Sequence, residues 1–400
     1  MFLSKIFNRT KAPTSFSSYV SPISTSGEVV TVENSTNLGI VYACINVKAS
    51  AIAKLPLQVF VKTKDGRTRD HAHRISYLLE TRPNPHMSPY MFKFVMMVHR
   101  ETYGAAFIRM KFNRKGLVES LHLMYPSSVS IIEDIEGKVF YVETMNDNTQ
   151  QVYSEDEVIF IPAFTTDGYN IKSPITVARE TIGIIRSQEK FLGSYYQNGT
   201  LARGVIKVPT TLNKEAKEKV REEFQKMNAG MQNASKVAVL DEGFDYQNIT
   251  IPLGDSEFIA SQNFSLRQIC RIYGIPPHMV GDLERSTFNN IEQMSMDFVL
   301  NTLQPICVSI EEEMDYKIFN KQEQQKGYYV KFNLTSALRA DSKSRAEYMQ
   351  LMIRNGLLTT NEGRKLEDLE PIKDGDRLLI SQDLTHLDNL ENLQSSKGGE

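Results

Sequence analysis

The apolar positions of this chain change period several times, and each change marks an element. From Asn37 onward, Leu38, Val41, Ile45, Ala49 and Ile52 recur at helical spacing until Leu55-Pro56 stops them. Leu57, Val59 and Val61 then alternate as a strand, and Asp65-Gly66 signals a hairpin turn. Ser88 before Pro89 predicts the start of another helix, with Phe92, Val95, Met96 and His99 on one side and Tyr103-Gly104 at its end. Residues 105–161 predict short antiparallel strands packed on the flanking helices, with turns at Asn113 to Gly116, Pro126-Ser127 and Glu136-Gly137. Ser173-Pro174 opens a helix whose stripe is Ile175, Ala178, Ile182, Ile185, Leu192 and Tyr196, closed by Gly199.

Between Gly199 and Gly254 the pattern predicts a compact insert: strand Val205 to Val208, helix Asn213 to Met227, then strands Lys236 to Leu240 and Tyr246 to Ile251. The insert's helix turns Ala216, Val220, Phe224 and Met227 inward. Its other face carries Lys214, Lys217, Lys219, Arg221, Glu222, Glu223 and Lys226, either a solvated face or a docking surface. Asp255 caps a helix with Phe258, Ile259, Leu266, Ile269, Cys270 and Tyr273 at its period; Gly274 fits a left-handed cap, and Pro276 and Pro277 forbid continuation. Ile275 to Asn289 has no apolar period and predicts a loop. Asn289 and Glu292 are spaced as a capping box for a long helix striped by Ile291, Met294, Phe298, Leu303, Ile306, Ile310, Met314 and Ile318. Pro305 predicts a kink there, and the length predicts a brace between several parts of the molecule. Tyr328 to Phe332 predicts a strand; Asp341 caps a helix holding Ala346, Met349 and Ile353 that Gly356 stops, and Thr359 and Glu362 form a further capping box. Residues 1–35 and 381–400 are polar and read as mobile.

The 400 residues suffice for a large core and more than one domain, and 41% hydrophobic content is ordinary for a soluble globular chain. A formal net charge of -2 excludes a nucleic-acid-coating protein. With no long apolar run, no membrane partner is expected, and MFLSKIFNRTK has too short an apolar core for a secretory signal. Cys44, Cys270 and Cys307 lie far apart among apolar residues and predict buried, inert thiols. No P-loop, GxGxxG, GxSxG or HExxH occurs, so no catalytic, cofactor or metal residues are assigned. Two weaker patterns remain. His71 and His73 form an HxH pair without a third ligand cluster nearby, and Glu311, Glu312, Glu313 and Asp315 suit a two-metal nuclease only with matching carboxylates elsewhere; a solvated helix face is the plainer reading of that cluster.

The run RQICRIYGIPPHMVGD, followed by NNIEQMSMDFVLNTLQPICVSIEEEMDYKIF, resembles the portal proteins of long-tailed bacteriophages. That family shows a helix ending in a Pro-Pro turn, an N-x-E start, T-L-x-P within a long helix and an I-E-x-E end, and all appear here in order. VYACINVKASAIAKLPLQVF, ISYLLETRPNP, QNGT, KVAVLDEGFDY and LLTTNEGRKLEDLEPIKDGDRLLI extend the resemblance over about residues 36–380. YGAAF departs from the family's YGNAY, and Ile171 stands where the family has glycine.

The resemblance implies an α+β portal fold: a ring-forming subunit with two stem helices and a long kinked helix. Its parts would be a mobile arm (1–35), wing (36–173), stem helix (174–199), clip (200–254), stem helix (255–274), tunnel loop (275–289), long helix and wing return (290–340), crown (341–380) and mobile tail (381–400). The implied function is a dodecameric ring at one capsid vertex, a channel for double-stranded DNA in packaging and ejection. The implied partners are other copies of the chain, terminase, the major capsid protein and the head–tail connector; the implied location is the virion, after assembly in the host cytoplasm. Within the tunnel loop, Pro276, Pro277, His278, Gly281, Asp282, Leu283, Glu284, Arg285, Ser286 and Thr287 are expected to face DNA, and Lys217, Arg221 and Lys226 of the clip to dock terminase. The alternatives from other classes are a carboxylate-based nuclease and a cytosolic oligomeric binding module.

Overall fold

A computed structural model describes residues 22–64, 66–198, 204–207, 211–228, 245–248, 256–284, 288–334, 342–366 and 369–379. The chain divides into two units, Met1–Asn333 and Leu334–Glu400. In the first unit, α1 (Val32–Thr36) starts at Thr31, which exchanges cap hydrogen bonds with Asn34. Helix α2 (Gly39–Lys54) buries Val41, Ile45, Ala49 and Ile52 of the predicted stripe together with Cys44, with the stripe's Leu38 buried at its N-cap, and ends at an extended Leu55 in front of Pro56. Strands β1 (Leu57–Thr63) and β2 (Gly66–Arg69) form the predicted hairpin. Helix α3 (Arg74–Glu80) is capped by the His73 imidazole. Helix α4 (Pro89–Tyr103) opens with Ser88 accepting from the Met91 N–H at 3.2 Å and closes on Gly104 at φ 92.

Six antiparallel strands follow: β3 (Ala105–Phe112), β4 (Val118–Met124), β5 (Val129–Glu133), β6 (Val139–Thr144), β7 (Gln150–Ser154) and β8 (Val158–Pro162). They form two three-stranded sheets, ordered β4-β3-β8 and β5-β6-β7. The rings of Phe107, Tyr141 and Phe160 meet between them, with centroids 5.3 to 6.0 Å apart. Ala105 belongs to the same buried cluster. The position where the family carries asparagine is therefore apolar among apolar neighbours and needs no polar partner.

Helix α5 (Pro174–Val177), capped by Ser173, is separated from α6 (Arg179–Asn198) by Ala178, so the expected single stem helix has a break near its start. The segment read as a mobile arm is anchored from residue 22 onward. Thr25 donates through its N–H and hydroxyl to Glu180, at 2.8 and 2.7 Å, and Glu28 pairs with Lys190 at 2.7 Å and Arg186 at 3.7 Å. In the insert, β9 (Gly204–Lys207) pairs with β10 (Asp245–Asn248), and α7 (Lys214–Asn228) lies between them in sequence. The expected strand Lys236 to Leu240 lies outside the described residues, as do Asp255 and Asp341, the predicted caps.

Helix α8 (Ser256–Tyr273) packs along α6. Helix α9 (Phe288–Asp297) begins one residue before Asn289, so Asn289 sits inside the helix and not at its cap. The break expected at Pro305 takes the form of a π-helical turn, Phe298–Leu303, leading into α10 (Gln304–Ile318). Proline supplies no N–H to the carbonyl four residues earlier and its ring crowds that carbonyl, which the wider turn accommodates. The short α11 (Lys321–Gln325) leads to β11 (Tyr328–Phe332), which joins β1 and β2 in the order β11-β1-β2.

Helix α10 braces two sheets through its polar groups. Glu311 is buried, accepts from the Phe332 N–H at 2.7 Å and pairs with Lys331 at 3.1 Å; Asp315 accepts from the Val330 N–H at 2.6 Å. On the other flank Lys317 donates to the Val158 carbonyl at 2.6 Å and pairs with Glu313 at 2.7 Å. The acidic cluster is thus neither a simple solvated face nor a grouped metal site: two of its members satisfy the open edge of β11.

Burial raises the Asp315 carboxyl to about 6, above its ordinary range. The folded state therefore holds this proton more tightly than the unfolded state. The group's contribution falls as pH rises from about 4 to about 6. Urea melts of Asp315→Asn and wild type are expected to shift in the variant's favour across that interval; parallel curves would contradict the assignment.

In the second unit, α12 (Ser342–Arg354) is stopped at Gly356, whose φ is 70. The capping box that starts α13 (Thr360–Leu366) has Thr359 N–H donating to Glu362 at 2.8 Å and Glu362 N–H donating to Thr359 Oγ1 at 3.1 Å. Asn361 then orders the following turn, donating to the Ile372 carbonyl at 3.0 Å and accepting from its N–H at 2.8 Å. Among the described residues no helix is long and apolar enough to cross a membrane.

Candidate functional site

The segment between α8 and α9 is where the chain's expected role concentrates. Gly274, at φ 66, ends α8, and its carbonyl accepts from Thr302 Oγ1 at 2.7 Å, which fixes the exit against the π turn. Ile275 is buried. Pro276 is extended, and Pro277–Val280 forms a single 3-10 turn closed by Gly281 at φ 91. His278 Nε2 lies 3.3 Å from Ser295 Oγ on α9.

The next residues are clamped from the stem. Arg267 of α8 donates to both oxygens of Asp282, at 2.7 and 3.2 Å, and to Glu284 Oε2 at 2.5 Å. The guanidinium holds the Asp282 carboxyl below its usual range, and the two carboxylates raise the guanidinium in turn. Leu283, between them, is exposed. The expected loop of 275–289 is therefore shorter: its first part is a tied turn and α9 has begun by Phe288. Arg285, Ser286 and Thr287 lie outside the described residues. No sequence pattern announced the clamp, because Arg267 reads as one polar residue on the exposed side of an amphipathic helix.

On α7, Lys217 and Arg221 are exposed, while Ala216 and Val220 on the opposite face are partly buried, matching the predicted sides. Lys226 lies in the same helix, but its side chain is outside the described residues. Helices α6 and α8 leave Ile184, Ile259, Phe264 and Leu266 exposed, and Met296 and Leu300 are exposed farther along the chain.

The other candidate chemistry resolves into structural roles. His73 accepts from the Ile75 N–H through Nδ1 at 3.3 Å and faces Glu323 through Nε2 at 3.2 Å, so both nitrogens are occupied. His71 lies 3.9 Å from Glu80. His99 contacts Tyr103 and Tyr125 edge-on, and burial lowers its pKa to about 4, which keeps it neutral near pH 7. The three cysteines are buried and unbridged. Among the described residues no three His, Cys, Asp or Glu side chains gather as metal ligands.

A buried cluster, unannounced in sequence, sits where α8 meets α2 and α4. Glu101, at 1% exposure, pairs with Lys48 at 2.9 Å and with Arg100 at 2.5 Å, and Tyr273 of α8 donates to the Glu101 carbonyl at 3.4 Å.

The sequence profile described as "Phage portal protein" matches residues 40–368. The chain is 26% identical over 365 residues to the probable portal protein of Streptomyces phage phiC31, covering 88% of this chain and 79% of that one. It is 28% identical over 349 residues to the portal protein of Enterobacteria phage HK97, covering 86% and 81%. Its fold is similar to a chain in the neck of the native GTA particle computed with C12 symmetry, with a TM-score of 0.57 at 17% identity, covering 91% and 96%.

Proposed function

This chain belongs to the phage portal protein family, and from that premise we propose that twelve copies close into a ring at one capsid vertex, the channel through which double-stranded DNA is packaged and ejected. The observation that carries the ring is the set of large apolar side chains that the stem helices leave exposed, Ile184, Ile259, Phe264 and Leu266, on more than one side of the stem, where neighbours on either hand would cover them. The count of twelve is supported by the C12 symmetry of the neck particle with a similar fold. The tunnel loop forms the constriction, and Arg267 holds it at Asp282 and Glu284. Two carboxylates tied to a single guanidinium, beside an exposed Leu283, leave a slight negative excess and offer a moving phosphate backbone little to grip. A basic bore would hold DNA by counterion release, whereas a near-neutral subunit lets it slide. The clip docks the terminase during packaging and the head–tail connector afterwards, through Lys217, Arg221 and Lys226 on α7. The ring is assembled in the host cytoplasm and set among copies of the major capsid protein.

One packaging assay tests both surfaces. Deleting Leu283 to Ser286 is expected to leave rings intact and to lower the DNA retained in heads; heads that fill and hold a full genome would remove the segment's role. Reversing Lys217, Arg221 and Lys226 to Glu is expected to weaken motor engagement with rings intact, and normal engagement would place the docking face elsewhere.

A further inference from the structure

Helix α10 separates two surfaces of opposite charge. We propose that they are the two halves of the contact between neighbouring copies of this chain: the outer face of the β11-β1-β2 sheet of one subunit seats in the groove beside α10 of the next. The inference rests on the ring reading and assigns it a specific interface.

The sheet face follows from register. Phe60 pairs with Tyr329 on one side and Arg69 on the other, and Lys62 pairs with Arg67, so these five side chains share a face. The alternate positions Leu57, Val59, Val330 and Phe332 are buried. Phe60 and Tyr329 stack with centroids 5.8 Å apart, Arg67 lies 5.2 Å over Phe60, and Lys62 lies 5.8 Å over Tyr329. Lys62, Lys64 and Arg67 are exposed, Arg69 pairs with Glu80, and in sequence only Asp65 opposes them within the hairpin.

The groove is complementary. It encloses about 990 Å³ between the β8 side of the wing and the start of α10. Leu300, Val308 and Tyr169 give it an exposed apolar lining, and Glu155, Asp167, Glu312 and Glu313 give it charge. The one cation among its lining residues, Lys317, is already engaged by Glu313 and the Val158 carbonyl. Four carboxylates against one cation, itself already paired, favour a basic partner, and the aromatic pair of the sheet matches the apolar lining.

A closed ring needs two different patches on every subunit. Here they flank one rigid element: Glu311 and Asp315 tie α10 to the sheet, and Lys317 ties it to β8 beside the groove. A single-stranded nucleic acid is the other occupant a basic aromatic face could take. The neighbouring copy is favoured because both aromatic rings already carry this chain's own cations and because it satisfies the acidic groove as well.

The test uses two variants of the full chain: Lys62→Glu/Lys64→Glu/Arg67→Glu, and Glu155→Lys/Glu312→Lys. All five positions are exposed. By native mass spectrometry, each variant alone is expected to stay unassembled at concentrations where wild type closes. An equimolar mixture is expected to form rings with equal numbers of the two, since only unlike neighbours match. Rings from either variant alone, or no rings from a mixture whose members melt like wild type, would overturn the contact. Zero-length carbodiimide cross-linking of wild-type rings, expected between Lys62 or Lys64 and Glu155 or Glu312 of different subunits, reads the contact without substitution, and its absence would also overturn it. A triple variant that keeps its rings but loses affinity for single-stranded DNA would reassign the face to nucleic acid. Wild type that never assembles would sink the ring reading itself, which distinguishes that failure from failure of this contact.

Discussion

Exchanging Glu101 for glutamine lowers the unfolding free energy by about 3–5 kcal/mol, the typical cost of breaking a buried ion pair from one side. Glu101 is the shared partner of Lys48 and Arg100, and all three are buried. Arg100 keeps the Pro162 carbonyl, to which it donates at 3.1 Å. Lys48 keeps the face of Tyr273, 5.8 Å away, and loses its carboxylate. Burial already lowers the Lys48 pKa, and Glu101 opposes that shift. Without Glu101 the folded state binds the Lys48 proton still more weakly than the unfolded state does. Stability then rises with pH through the interval between the two values, so the deficit is largest at neutral pH and shrinks toward alkaline pH. Urea denaturation of the variant across that range is the check, and a deficit independent of pH would contradict the account. Adding Lys48→Met is expected to recover part of the loss, because it removes the stranded charge.

Gly104→Ala is expected to cost about 2–5 kcal/mol, from a left-handed residue of about 1–2 and backbone overpacking of about 1–3. Gly104 sits at φ 92, and a Cβ there would lie 2.9 Å from both the Cα and the N of Ser173. Ser173 cannot easily retreat, because its hydroxyl caps α5 by accepting from the Thr176 N–H at 3.2 Å. The Gly104 carbonyl also accepts from the Ala163 N–H at 2.7 Å, which holds the end of α4 against the exit of β8. Gly116→Ala is the matched control: its φ is 71 and a Cβ would meet nothing within 4 Å. Its loss should be limited to the backbone part, about 1–2 kcal/mol. Thermal melts that place both variants together would show that the close approach to Ser173 carries no weight.

What the sequence made legible was short-range. Ser88-Pro89, Ser173-Pro174 and the Thr359/Glu362 box each fix their element within four residues and stand where expected, and β1 and β2 pair as the hairpin signal predicts. The order of helices and sheets followed from periods of the same range. The contacts that shape the candidate channel segment were not legible, because they join residues that no period relates. Arg267 meets Asp282 and Glu284 from another element, and Lys48 meets Glu101 from 53 positions away. The acidic stretch of α10 misled for the same reason. Glu311 and Asp315, one helical turn apart, face N–H groups of a strand that comes later in the chain, so composition suggested solvent where the fold supplies donors. Residues 22–35 look like a polar arm until Glu180, Arg186 and Lys190 of α6 are set beside them.

The most direct measurement of the central claim is electron cryomicroscopy of the purified chain. Closed rings of twelve are expected, with a central hole wide enough for duplex DNA and the described start of the tunnel loop, residues 275–284, at its narrowest wall. Monomers alone, or a closed assembly without a through-hole, would contradict it.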